Sequence, residues 1–301
     1  MITRRCSERR CFLRPDPETN NAFIYCLALA ATRANVQVLF ACAMSDHHHI
    51  GIYDCDGRFP DFIEHLHALF ARCQNVHLGR FESLWSSAPT SIVELVNPED
   101  VLAKTAYALA NPMAAGLVDT AEEWPGVNSF HAMLANQPLT ATRPKHFFRP
   151  KGGQPNAIAL PITRPRAFAD LPQDEWADLV SGRVRVAEAE HRQQRAQAGR
   201  QVLGREAVLA EDPFASPKTE APRFNLSPRV AAKGKEPRIR ALRLKNGFLA
   251  KYLAAFKNHR AGVAHVLFPF GTWWMRKFVG VACETAEMAS EVMPALAAAP
   301  A

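Results

Sequence analysis

The chain has 301 residues, of which 48% are hydrophobic, enough for a substantial core and for more than one domain. We expect no membrane span, because no run of uncharged apolar residues is long enough, and no signal peptide, because the basic N-terminus lacks an apolar stretch. The seven cysteines include no Cys-x-x-Cys pair, which is typical of a reduced cytoplasmic protein and excludes zinc-finger spacing.

Strand and helix patterns alternate over the first 130 residues. Asp16 followed by Pro17 predicts one helix start, and Asn97 followed by Pro98 predicts another. The order is βαββαβ with an added helix, which predicts an α+β domain: a ferredoxin-like antiparallel sheet with helices on one face plus an active-site helix. The expected strands cover 2–13, 36–44, 47–53 and 90–96, and the expected helices run from Asp16, over 60–73, and from Asn97 to about Asn111.

The composition changes after residue 130. Residues 131–172 are rich in proline and predict a linker with one strand near 156–162. Residues 173–284 predict a basic, mainly helical extension, and residues 285–301 a disordered tail. The extension includes an amphipathic helix whose apolar side chains we expect to face inward: Ile239, Leu242, Leu249, Leu253 and Phe256.

Positive charge is concentrated in the same extension. Between Arg229 and Arg260 ten Lys and Arg residues stand against one acid, Glu236, although the net charge of the whole chain is only +7. This basic stretch therefore carries +9, and the other residues sum to about −2. Such clustering suits a phosphate backbone, but a solvated helix face gives the same pattern.

Three consecutive histidines lie within an apolar run that predicts a β-strand. Because side chains alternate along a strand, His47 and His49 point to one face and His48 points to the other. Two imidazoles on one face can share a divalent metal ion. Alone the pair is a weak signal, since most such pairs are structural.

A tyrosine and an asparagine follow on the helix after the fourth strand. Tyr107 and Asn111 are four residues apart and share a helix face, and Pro112 is expected to place Asn111 in the final turn. An amide oxygen is an acceptable ligand for Mg²⁺ or Mn²⁺, and a phenol can act as a covalent nucleophile. If this helix packs across the histidine strand, the phenol would reach a metal-bound phosphate.

Together these motifs resemble the single-tyrosine HUH transposases, in particular the REP-associated tyrosine transposases. The family signature Met-x-Asn-His-x-His stands here at residues 44–49, and Tyr-x-x-x-Asn-Pro-x-x-x-Gly-Leu-Val stands at residues 107–118. Trp124-Pro125 and Gly79-Arg80-Phe81 also fit. The resemblance covers roughly residues 1–130, which we expect to form the transposase domain.

The resemblance implies roles for these residues. His47 and His49 would bind Mg²⁺ or Mn²⁺ with Asn111 as third ligand, and Tyr107 would attack a phosphate of single-stranded DNA. The products would be a 5′-phosphotyrosine and a free 3′-hydroxyl, and rejoining would reverse the step without ATP. The implied substrate is hairpin-forming DNA, such as repetitive extragenic palindromes, cut in the cytoplasm at the nucleoid by a monomer or homodimer.

Two positions depart from the family pattern. His48 stands where an apolar or aromatic residue is usual, and Asp46 stands where Asn is usual. An acid beside the metal can raise its affinity or repel phosphate. Neither change removes a ligand, so we expect activity to be retained.

Basic residues outside the two motifs are candidate DNA contacts, and two other functions stay open. One is a non-catalytic protein of the same descent that binds hairpin DNA without cleaving it. The other is an unrelated metallohydrolase that uses the two histidines with an acidic third ligand and does not need Tyr107. The candidate DNA contacts are Arg80, Lys104, Arg238, Arg240, Arg243 and Lys245.

Overall fold

Strands and helices alternate through residues 1–217 and 228–292, the part of the chain that the computed structural model describes. The strands are β1 (Ile2–Arg5), β2 (Val36–Ala43), β3 (His47–Asp54), β4 (Ser91–Ile92), β5 (Glu94–Leu95), β6 (Leu139–Thr142), β7 (Ala157–Leu160) and β8 (Val230–Ala231). The α-helices are α1 (Pro17–Ala34), α2 (Phe59–His77), α3 (Pro98–Leu109), α4 (Asn111–Ala114), α5 (Phe130–Ala135), α6 (Gln173–Gln197), α7 (Arg205–Ala210), α8 (Lys235–Arg260), α9 (Trp274–Val279) and α10 (Ala286–Val292). None of the helices in these ranges has the length and hydropathy to cross a membrane.

The first four strands form an antiparallel sheet in the order β2-β3-β1-β4. β1 is shorter than predicted and ends at Arg5, because Glu8 and Arg9 adopt positive φ and turn the chain away. The predicted fourth strand is divided in two. β4 pairs with β1, whereas β5 leaves this sheet and pairs in parallel with β8. The protein is therefore of the α+β class, with the predicted helices and strands of the first 110 residues present in the expected order.

Helices cover both faces of this sheet. α1 and α2 pack on one face, where Ile50 of β3 joins their core cluster. α3 and α6 contact each other on the opposite face, where Cys42 of β2 shares a second core cluster with Leu109 and Val180. Consecutive residues of β3 therefore point into different environments, as its twofold periodicity predicts.

The two helices that flank the histidine strand begin at the predicted caps. Asp16 Oδ1 accepts the backbone N–H of Thr19 at 2.7 Å, and Asn97 and Asp100 form a capping box at the start of α3. The end of α3 differs from the prediction. α3 stops at Leu109, and Asn111 begins the short α4, because Pro112 lacks an N–H and its ring crowds the preceding turn.

The proline-rich segment 131–172 is packed against the first core cluster. It contains the predicted strand, β7, and a second strand, β6, which pairs with it. The side-chain amide of Asn21 on α1 donates to the backbone oxygen of Thr142 on β6 and accepts from its N–H, both at 2.8 Å, and Leu160 is buried in the core. Proline spacing alone did not indicate this packing.

The long helix α8 lies at the predicted place, but its apolar side chains do not face inward. Ile239, Leu242, Leu249 and Leu253 are 36% to 61% exposed, so the prediction for these four residues is wrong. The reason is that α8 packs mainly on β8 and on a small cluster around Phe268, which Phe256 joins from one end of the helix. Within the predicted tail, residues 286–292 form α10, and residues 293–301 lie outside the described part.

Gly51 in β3 provides a sensitive test of this packing. A Cβ atom built at Gly51 would lie 2.1 Å from Cε1 of Phe40, a fully buried ring of β2. We therefore expect Gly51→Ala to lower the free energy of unfolding by about 1–3 kcal/mol through overpacking. Urea denaturation followed by circular dichroism measures this change.

The matched control is Gly182→Ala in α6, where an added Cβ meets nothing within 4 Å. There the same substitution should raise stability by about 0.5–1 kcal/mol, since alanine favours helix. Equal effects at the two positions would contradict the packing described for Phe40.

Candidate active site

A cavity of about 790 Å³ opens beside β1 and β3, where the sheet meets α3 and the start of α8. His47, His49 and Tyr107 all line it. Strand alternation and the β1–β3 register explain the first two, because Thr3 lies opposite His49 and Arg5 lies opposite His47. Both β1 side chains also line the cavity. A volume of this size is typical of a ligand-binding pocket.

The two outer imidazoles converge on each other. Nε2 of His47 lies 3.1 Å from Nε2 of His49, and the ring planes are nearly perpendicular at 87°. The other nitrogen of each ring is held in place: Nδ1 of His47 lies 2.6 Å from Oδ1 of Asp46, and Nδ1 of His49 lies 2.8 Å from Oγ1 of Thr3. These three contacts fix the orientation of both rings.

This arrangement fits a shared metal ion. The Asp46 carboxylate accepts a hydrogen bond from Nδ1–H of His47, which leaves a lone pair on Nε2. The Thr3 hydroxyl can likewise accept from Nδ1–H of His49, and in that tautomer both Nε2 atoms carry lone pairs that can bind one cation. Two ligand nitrogens bound at ~2.1 Å and at right angles stand about 3.0 Å apart, close to the observed separation.

Burial keeps His49 in the neutral form that binds metals. Burial, reinforced by the nearby His47 and Lys104, lowers the pKa of His49 to about 3. The ring is therefore uncharged throughout the physiological range, and a metal ion does not have to displace a proton to bind it.

The middle histidine points to the other face of the sheet, as predicted. His48 is fully buried, and its Nε2 lies 3.0 Å from Nε2 of His67 on α2. Burial and the proximity of His67 lower the pKa of His48 well below its ordinary value. Phe23 and Trp85 pack around its ring. His48 thus belongs to the core behind the cavity.

Tyr107 lies in the last turn of α3 with its side chain on the cavity. It is 45% exposed, and its ring stands edge-on to His49 with the ring centroids 5.5 Å apart. Lys104, one turn earlier, places Nζ 4.9 Å from the centre of the Tyr107 ring. The helix therefore brings the Tyr107 ring beside His49 and places the Lys104 ammonium against that ring.

Asn111 lies at the start of α4 and is 9% exposed. It is not among the residues that line the cavity. Within residues 1–217 and 228–292, no three His, Cys, Asp or Glu side chains come together as a metal ion would require. The third ligand therefore stays a prediction, and the acidic ligand that a metallohydrolase needs is not found in the described residues.

Trp124 and Pro125 form hydrogen bonds to the end of β2 and to α1. The indole N–H of Trp124 donates to the backbone oxygen of Ala43 at 3.0 Å, at the end of β2. Asn20 of α1 donates to the backbone oxygen of Pro125 at 2.8 Å. These bonds hold the tight turn between β2 and β3, which carries Asp46.

The predicted basic residues lie in three different places. Lys104 and Arg238 line the cavity, and Arg240, Arg243 and Lys245 line other surface cavities. Arg80 lies elsewhere, with its guanidinium carbon 3.7 Å from the centre of the Phe12 ring. The Arg80 guanidinium also donates to the side-chain oxygen of Asn75 and the backbone oxygen of Ser83, and its contact with DNA stays a prediction.

Sequence reasoning missed several cavity residues. Thr3 and Arg5 share a face of β1, which the alternation of side chains along a strand predicts. Local sequence does not show that β1 pairs with β3, and this pairing is what brings them beside the histidines. Lys233 belongs to the basic stretch that the sequence showed, but nothing local indicated that β8 pairs with β5, more than one hundred residues earlier, and reaches this cavity.

Comparison of the chain with family models, with curated proteins and with solved structures found no match. The resemblance to single-tyrosine transposases stays a prediction based on the residues of the two motifs.

The low pKa of His49 predicts an acid-sensitive fold. Below pH ~6.5 the unfolded chain binds a proton that the folded chain excludes down to about pH 3, so the free energy of unfolding falls as the pH is lowered through this window. His49→Gln should remove up to about 1.4 kcal/mol per pH unit of this dependence. Urea denaturation in chelator between pH 7 and 4 measures it.

His131→Gln is the control, because it removes an exposed imidazole of α5. Parallel pH profiles for wild type and His49→Gln would contradict the burial of a neutral ring at this position.

Proposed function

We propose that this protein is a metal-dependent, single-stranded DNA endonuclease and strand transferase that uses Tyr107 as its nucleophile. The observation that carries the proposal is the convergence of His47 and His49, with Nε2 atoms 3.1 Å apart, in the cavity that Tyr107 also lines. The protein would be a cytoplasmic monomer or homodimer and would act on hairpin-forming DNA of the nucleoid.

The sheet topology supports the same proposal. We propose that β1 to β4 form a ferredoxin-like sheet, because α1 connects β1 to β2, α2 connects β3 to β4, and the strand order is β2-β3-β1-β4. This split arrangement places β1 and β3 in the centre, where both faces are covered. The histidine pair then sits on a rigid strand rather than on a loop.

The proposed ligands are His47, His49 and Asn111, holding Mg²⁺ or Mn²⁺. When bound, the cation would supply positive charge against a phosphate oxygen and offset the charge that develops during displacement. Asp46 would orient the His47 ring through Nδ1, and Thr3 would do the same for His49. Asp46 is therefore proposed as an orienting residue, and its carboxylate is directed at the ring rather than at substrate.

In the proposed step, the Tyr107 oxygen forms a bond to phosphorus and the bond from phosphorus to the 3′ oxygen breaks. The phenol loses its proton, and the departing 3′ oxygen gains one, which leaves a 5′-phosphotyrosine and a 3′-hydroxyl. Lys104 lies on the same face of α3 as Tyr107 and brings a cation to where the attacked phosphate would stand. Attack by another 3′-hydroxyl reverses the step and rejoins the strand.

The orienting role of Thr3 predicts a loss of metal affinity. Thr3→Val removes the hydroxyl that holds Nδ1 of His49, so we expect Mn²⁺ to bind about 10- to 100-fold more weakly. Isothermal titration with Mn²⁺ measures the affinity. Thr140→Val, which removes an exposed hydroxyl from β6, should leave it unchanged. If both variants bind Mn²⁺ as wild type does, Thr3 has no part in holding the ligand.

The assignment of the nucleophile is tested by removing the phenolic oxygen of Tyr107. With Mn²⁺ and a single-stranded hairpin oligonucleotide, wild type should form a covalent protein–DNA adduct that survives denaturing electrophoresis. Tyr107→Phe should form none, while its hairpin affinity stays within about twofold, since the ring is retained.

Tyr53→Phe is the matched control, because it removes a phenolic hydroxyl from the same strand as the histidines and should leave the adduct intact. An adduct on Tyr107→Phe would refute the assignment of the nucleophile. Tight hairpin binding by wild type without any adduct, under either metal, would instead indicate the non-catalytic DNA-binding protein.

A further inference from the structure

One wall of the active-site cavity comes from the far C-terminal part of the chain. Pro228, residues 230–233 and Arg238 line the same cavity as Tyr107 and the histidine pair. We infer, on the basis of the proposed function, that Lys233 and Arg238 bind the backbone phosphates of the single strand, so that this segment completes the substrate site of the N-terminal domain.

Backbone hydrogen bonds fix this wall to the sheet side of the cavity. β8 pairs in parallel with β5, with Glu94 opposite Val230 and Leu95 opposite Ala231. The N–H of Glu94 donates to the oxygen of Arg229 at 3.0 Å, and Val230 is buried. The segment is thus an added strand with a defined register, and not a loosely placed loop.

A second connection ties the wall to the helix that carries Tyr107. Oδ1 of Asp100 accepts the backbone N–H of Lys233 at 2.7 Å, and Oδ2 accepts the N–H of Asn97 at 3.1 Å. One buried carboxylate therefore caps α3 and anchors the segment at the same time. Tyr107 lies two turns further along that helix, so the wall and the phenol are positioned by a common group.

The charges around the cavity favour an anionic chain. Arg5, Lys104, Lys233 and Arg238 line it, and among the described lining residues the one acid is Asp100, whose oxygens are occupied by the bonds above. Arg4 is different, since its guanidinium donates to the backbone oxygens of Ser86 and Ala88 and holds that loop.

The position of these cations suits successive phosphates of one strand. Arg5 stands beside His47 on the sheet, Lys104 stands beside Tyr107, and Lys233 and Arg238 stand on the added wall. Lys233 and Arg238 are both exposed, and the turn at Gly234, with φ of 113°, separates the strand from the helix that bears Arg238. A phosphodiester backbone that enters beside Tyr107 would meet cations on both sides.

The experiment compares a double variant, Lys233→Ala with Arg238→Ala, with a control that loses the same two charges elsewhere. Lys151→Ala with Arg192→Ala serves as control, since both side chains are exposed and neither lines the cavity. Fluorescence anisotropy with a labelled single-stranded oligothymidylate measures affinity at several salt concentrations, and a denaturing gel measures adduct formation with a hairpin oligonucleotide. Circular dichroism checks that each variant is folded.

We expect the wall variant to bind oligothymidylate roughly tenfold more weakly at low salt, and the slope of log affinity against log salt to fall in magnitude by about 0.7 per lost contact. The control should bind as wild type does. Arg238→Lys, which keeps a positive charge at this position, should bind oligothymidylate much more tightly than the double alanine variant.

Equal losses of oligothymidylate affinity in the wall and control variants would overturn the inference and leave the proposed function untouched. The same holds if wild type forms the hairpin adduct but does not bind oligothymidylate. Competition by inorganic phosphate as strong, per phosphate, as by the oligonucleotide would mean that the wall binds free phosphate and not a strand, and would also overturn it. A selective loss of binding in the wall variant, with no adduct in any protein, would support the inference and reject the proposed chemistry.

Discussion

The antiparallel register between β1 and β3 determines which side chains the cavity receives. It sets Thr3 against His49 and Arg5 against His47, on the face that also meets Tyr107. A slip of one residue would turn the pair into the core and bring His48 to the cavity, because the side-chain period of a strand is two. The proposed metal site, its orienting hydroxyl and one phosphate contact all depend on this single register.

Burial and charge act together at the histidine pair. Burial keeps His49 neutral, which favours a metal ligand, while Arg5 and Lys104 keep the surroundings positive, which favours phosphate. Asp46, the departure from the family pattern, has its Oδ1 on the His47 ring and its Oδ2 3.9 Å from Nε of Arg9. Under the proposed function, the Asp46 carboxylate would act on His47 and Arg9 and not on the phosphate.

Features that depend on neighbouring residues were predictable from the sequence, and features that depend on distant pairing were not. Strand alternation placed His47 and His49 on one face, and the Asp16 and Asn97 caps marked two helices at their starts. The pairing of β5 with β8 joins residues separated by more than one hundred positions, so the basic stretch was evident from the sequence but the position of Lys233 in the cavity was not. The spacing of Leu249 and Leu253 correctly predicted a helix, but spacing does not say whether a partner surface exists, and both side chains are exposed.

The central claim is that His47 and His49 together hold one cation beside Tyr107. Anomalous diffraction from crystals grown with Mn²⁺ tests it most directly, since the method locates the metal without reference to activity. The expected result is a single strong peak about 2.2 Å from Nε2 of both rings, with the Tyr107 hydroxyl facing it across the cavity. A peak bound elsewhere, or rings that remain hydrogen-bonded to each other with no peak between them at saturating Mn²⁺, would contradict the claim.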